Sequence, residues 1–332
     1  PRWSALLMGA TARLPFSLAE WLILAAVVLV VFFAVRYAVR MAGGRGRRLE
    51  LTKAYALRAL AAVSLVLFLF LLGGGLNYYR YSFTYYTGLE VRESEVTQLR
   101  DLCLELADDA NTLREGLPED ADGVFTLADV PVRTLSATAR DQYAALARRN
   151  PRWTELLEGG GGTAPKGVLF SEAMSYMQIV GVFFPFTMEA NVNVHTSPIN
   201  IPFAMCHELS HISGFMREDE ANYLAYLACM AGDSREFAYS GAVEALVHAS
   251  NALYRKNVRM YDQVMEGLSD GVRRDLAADA AYYDAHKSAF GDFSQSVNDA
   301  YLRVNNQTDG VYSYGRMVDL MLADYRLRHG AA

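Results

Sequence analysis

Three cysteines in 332 residues are too few to staple a chain of this length. Cys103, Cys206 and Cys229 allow at most one disulfide with one thiol left over, and the last two fall in apolar helical stretches where a small core residue is expected. Positive charge is also short, with 31 Lys and Arg against 37 Asp and Glu and a net charge of −6. No basic stripe follows residue 76, which argues against nucleic acid as a partner. No internal repeat or low-complexity tract is present. Histidine is scarce too, six in all, so two placed together carry information.

What is abundant is apolar surface, at 52% hydrophobic residues, and it is unevenly spread. "SLAEWLILAAVVLVVFFAV" (17–35) and "ALAAVSLVLFLFLLGGGL" (59–76) each supply about 18 residues with little or no charge, enough for a bilayer core of ~30 Å. The first is too long for a signal-peptide core, and Arg36 and Arg40 follow it where a cleavage site would need small residues. Residues 1–76 therefore read as a membrane anchor of two helices. The 36–58 connection carries six Arg and Lys53, whereas the outer flanks show only Arg2, Arg13 and Arg80. The positive-inside bias places that loop in the cytoplasm and residues 77–332 outside the cell membrane.

Beyond the anchor, "NYYRYSFTYYTGLEV" suits a membrane interface by its tyrosines, or a strand by its aromatic content. Residues 92–115 and 135–157 have helical periodicity, and "EGGGGTAPKG" (158–167) reads as a flexible break within one domain. "EANVNVH" (189–195) alternates like a strand with one exposed face, and from Pro202 onward the pattern is almost entirely helical. The expected fold is mainly α with a small β element.

The chemistry concentrates in "IPFAMCHELSHISGFMREDEAN" (201–222). Pro202 suits the first turn of a helix that Gly214 closes, and His207 and His211, four apart, project from one face where both can grip one ion. Zn²⁺ is the default metal for such a pair, and a catalytic ion needs a third protein ligand. Glu208 lies beside this face, placed to act as general base toward water attacking a carbonyl. Past Gly214 a second helix opens with Glu218, Asp219 and Glu220, any of which could supply the third ligand. Asn222, four after Glu218, could hydrogen-bond a ligand histidine and fix its tautomer; Glu220 has Leu224 at that position, which favours Glu218 and leaves Glu220 as the alternative.

These residues resemble the gluzincin metallopeptidases, in which a Glu completes the HExxH site. "PFTMEANVN", "HELSHISGFMREDEANYLAYLAC" and "DGVYSYGRMVDLMLADYR", with the two N-terminal spans, look like the bacterial family catalogued as domain of unknown function 3810. The resemblance covers nearly the whole chain. It implies a zincin-like domain over 77–332 with one catalytic zinc on His207, His211 and Glu218, and Glu208 as base. Asn222 departs from the Asp that many gluzincins carry there, which would leave the supported histidine less basic. "EANVNVH" stands where such proteases place the edge strand that pairs with substrate. Tyr314 or Arg316, in "YSYGRM", could donate to the oxyanion. His195, His248, His286 and His329 lack a comparable setting and read as structural or surface residues.

The resulting expectation is a membrane-anchored zinc metalloendopeptidase of the bacterial cell membrane, acting on protein or peptide outside the cytoplasm. An intramembrane protease is disfavoured because the HExxH segment is too short and polar to span a bilayer. A metal-containing binding or assembly protein of the cell envelope is the alternative from another class, and Glu208 speaks against it, since a structural metal site has no use for a base.

Overall fold

The computed structural model describes residues 2–43, 47–304 and 316–330. After a short helix α1 (Arg2–Thr11) come α2 (Leu18–Gly43) and α3 (Arg48–Gly73), packed on each other. Both are long and apolar enough to cross a membrane, and only 6% of the apolar window of each is buried against protein. A core helix would bury that surface; these two leave it uncovered.

The remainder is helical around one small sheet. A 3₁₀ turn (Gly75–Tyr79) and α4 (Phe83–Thr87) occupy the tyrosine-rich exit, which is therefore not a strand. The next helices are α5 (Val96–Arg114) and α6 (Val132–Arg149). A Pro151–Trp153 turn interrupts the expected 135–157 helix because Pro151 lacks an N–H, and α7 (Thr154–Gly161) follows. The glycine run is not a flexible break. Its first glycines lie inside α7, pressed on the HExxH helix, where a Cβ at Gly160 would stand 2.7 Å from the Leu209 carbonyl oxygen and one at Gly159 2.9 Å from that of Ile212. Only glycine permits so close a helix contact.

Strands β1 (Lys166–Gly167), β2 (Gly181–Phe184) and β3 (Glu189–Val192), with α8 (Ser171–Tyr176) between the first two, form a sheet of order β1-β3-β2. β3 pairs in parallel with β1 and antiparallel with β2, Val182 opposite Asn191 and Phe184 opposite Glu189. The strand within "EANVNVH" is thus central; it spans only Glu189–Val192, and all four of those residues are buried. Its polar positions are not solvated because they hold the start of α2. The Glu189 carboxylate accepts the Leu18 and Ala19 N–H groups at 3.1 and 2.9 Å, Ser17 Oγ donates to Asn191 at 2.6 Å, and Lys166 Nζ bonds Glu189, Thr11 O and Phe16 O. A carboxylate there satisfies N–H groups that no helix can pair internally and complements the positive end of its dipole.

Helices α9 (Ile201–Ile212), α10 (Glu218–Cys229), α11 (Arg235–Lys256), α12 (Val258–Glu266), α13 (Asp270–Ala285), α14 (Ala289–Val304) and α15 (Arg316–His329) complete the chain. α5 lies along α11, burying Leu99, Leu102, Cys103, Leu106 and Ala110 at helical spacing. All three cysteines are buried and free. α13 is fixed to α5 by the buried Arg114–Asp275 pair at 2.5 Å, with Tyr239 and the Phe125 N–H also on that carboxylate.

Candidate metal centre

α9 sits in the core with almost every residue buried, so the pair His207 and His211 is held rigidly. The chain reverses at Gly214, whose φ of +86° other residues rarely adopt, and Phe215 N–H closes the turn on Ser210 O at 3.1 Å. Arg217 then starts α10, which folds back on α9 with its acidic first turn facing it.

This hairpin brings three donors together. Glu218 Oε2 lies 3.3 Å from His207 Nε2, and Oε1 3.7 Å from His211 Nε2; one atom from each residue falls within 4.8 Å of the others. Donors at the usual zinc distances around a tetrahedral ion stand roughly 3.3 Å apart. His211 Nδ1 donates to Phe215 O at 2.8 Å, since a carbonyl only accepts, and Nε2 is left with its lone pair toward the site. Asn222, buried one turn after Glu218, adds to the influences that raise the His207 imidazole's pKa, and both residues line the same cavity. The donor set and its supports fit a zinc ion with one position open.

Electrostatics without metal fit the same picture. Burial disfavours the His207 imidazolium, but the Glu218 carboxylate outweighs it and pushes the pKa up to about 9. Burial, reinforced by His207, holds His211 down to about 4. Glu218 stays below the usual carboxylate value; burial opposes this, and the two histidines prevail. A cation replacing the His207 proton would meet a carboxylate already ionised.

Glu208 is buried against β2. Burial pushes its carboxyl up to about 8 against the pull of His207, the Phe183 N–H reaches it, and its Oε2 has no hydrogen-bond partner. Gly181 makes room for it: a Cβ there would stand 2.9 Å from both Cγ and Cδ of Glu208. The sequence signal for this glycine, a break inside the "VGVFF" run, is weak. β2, unlike the central β3, is an edge strand of the sheet and lies along a cavity of about 470 Å³ walled by His207, Glu208, His211 and Glu218.

Residues outside the motif complete the lining. Glu244 and His248 of α11 and Tyr283 of α13 border the cavity. His248, read from the sequence as a structural or surface residue, thus borders the cavity, and its four-residue spacing from Glu244 on a helix was the available signal. Burial, with His207 adding to it, holds His248 down to about 4, and burial together with Asp279 pushes Glu244 up to about 8. A carboxyl whose folded pKa is raised retains its proton in the folded state where the unfolded chain has lost it, so stability falls as pH rises from about 4.5 to about 8. Glu244→Gln removes this dependence. The metal-free parent and variant are expected to melt together near pH 4.5 in thermal scans, with the parent falling progressively below the variant toward pH 8.

Glu220 is turned elsewhere: its Oε1 accepts the Phe83 N–H at 2.7 Å and meets Arg217 at 3.3 Å. Arg316 begins α15, exposed, and its charge acts on Asp219. Tyr314 lies outside the described residues.

Neither a curated protein nor a solved structure matches the chain. Residues 1–322, nearly the whole length, match the family described as protein of unknown function (DUF3810), and the chain belongs to that family.

Proposed function

We propose that this chain is a membrane-anchored zinc metallopeptidase. The observation that carries the reading is Glu208, a buried carboxyl with an unpartnered oxygen beside a His₂Glu donor set, at the wall of a cavity. His207, His211 and Glu218 would hold Zn²⁺, which when bound supplies Lewis acidity toward a peptide carbonyl and toward water. Asn222 and the Phe215 carbonyl keep the two imidazoles aimed. Glu208 takes the proton from the attacking water and returns it to the leaving amine, from a place at the cavity wall where one of its oxygens has no partner. β2 offers its outer backbone edge to an extended substrate, which gives main-chain binding with little sequence preference. His248 and Tyr283, which also line the cavity, would donate to the carbonyl oxygen.

A structural metal in a binding or assembly protein leaves the buried base without a purpose. An intramembrane protease does not suit α9, at 12 residues and enclosed by the helical domain. The test is zinc content measured beside cleavage of an unstructured protein by the full-length chain in detergent. Zinc with cleavage supports the peptidase, and stoichiometric zinc without cleavage favours the binding protein. The full chain is needed because β3 is built around the start of α2.

The same reading has α2 and α3 crossing the membrane with the basic loop in the cytoplasm. With the three native cysteines buried, a single cysteine introduced at Asp122 is expected to react with an impermeant maleimide on intact cells. One introduced at Gly44, outside the described residues, should react only after lysis. The reverse pattern would place the domain in the cytoplasm.

A further inference from the structure

We infer that the substrates are membrane-tethered polypeptides cut close to where they leave the bilayer, an inference that rests on the peptidase reading above. The metal centre is not carried at a distance from the apolar hairpin. Phe70, one turn before the end of α3, and Tyr78, just after it, are part of the cavity wall. The backbone just past α3 reaches the site through one residue: a Cβ at Gly74 would lie 3.5 Å from the Phe183 ring, whose centroid is 6.4 Å from that of His211. Gly73 is pressed on the residue just after β2, with room for no side chain against the Pro185 carbonyl oxygen at 2.6 Å.

The end of the apolar segment marks the bilayer surface. Leu76 is its last aliphatic residue, and the exposed Tyr79 and Tyr81 follow, a residue type that settles at the headgroups. Phe70 then lies at the outer edge of the hydrocarbon, and the cavity begins there. The second helix prevents the domain from lifting away. Its start is tied to β3 through Glu189, Lys166 and Asn191, and the Glu20 carboxylate of α2 accepts the Leu169 and Phe170 N–H groups at 3.0 and 2.9 Å. Leu169 and Phe170 themselves are left exposed beside that helix. Two attachments at two strands of one sheet fix both height and tilt, and β2 runs with its Phe184 end toward α3. A peptide laid along β2 therefore has one end directed into the headgroups, which suits a chain emerging from the same membrane.

The test uses full-length protein and Glu208→Gln in vesicles of phosphatidylethanolamine and phosphatidylglycerol. A mixed-sequence unstructured polypeptide of about 60 residues is offered in two forms, fused to a single transmembrane helix in the same vesicles or free in solution, and the cut positions are mapped by mass spectrometry. Expected are Glu208-dependent cuts confined to about the first 15 residues after the helix, whose r.m.s. span is about 20 Å. The free form should be cut at least about tenfold more slowly. Tethering raises local concentration for the whole segment, so cuts spread along all of it, or equal rates for both forms, overturn the inference while leaving the peptidase reading intact. No cleavage of either form by the parent overturns both.

Discussion

Glu208→Gln is expected to abolish peptide cleavage, by about 10²- to 10⁴-fold, while zinc content and the melting temperature of the metal-free protein stay the same or rise. Gln keeps the shape that fits over Gly181 and can still accept from the Phe183 N–H, but it takes no proton from water. Stability does not suffer because the parent side chain already resists ionisation in this buried position, its pKa pushed up to about 8. Cleavage rates, metal analysis and thermal scans on the same two preparations decide the matter. Parent-like turnover in the variant would sink the assigned base.

Glu218→Ala and Glu220→Ala, two positions apart, should fail in different ways. Glu218 faces both imidazoles, so its loss is expected to weaken zinc binding by more than about 100-fold, beyond what losing a supporting residue costs. Glu220 holds the buried Phe83 N–H, and without it that donor is left unsatisfied at a cost of about 1–3 kcal/mol. Its variant should bind zinc within about threefold of the parent and melt earlier. Competition with a zinc chelator, run beside thermal scans, separates the two. Parent-like affinity in Glu218→Ala would remove that residue from the donor set.

The parts of this molecule legible in the sequence are those set by local spacing. Pro202 and Gly214 bracket α9 in fact as in pattern, and both apolar spans form helices, because capping chemistry and helical period act within a few residues. The approach of His207, His211 and Glu218 was legible for the same reason, since only a short reversal separates their helices. What was not legible depends on partners distant in the chain. Asn191 and Glu189 look solvent-facing by alternation, yet the start of α2, some 170 positions earlier, covers them. The glycines at 159 and 160 look like a linker until α9 is laid against them. His248, four after Glu244, belongs to no motif with α9 and meets the site only because α11 packs on α9.

The bonds from Leu18 and Ala19 to Glu189 also set an order of assembly. The donors belong to a segment made first, and the acceptor leaves the ribosome 170 and 171 residues later. Until then the opening turn of α2 has no carboxylate to complete it, and β3 lacks the cover for its polar side chains. Closing so long a loop is slow by contact order, and it comes only after the hairpin is in place. The wall of the cleft at β2 is therefore completed only once that long loop has closed.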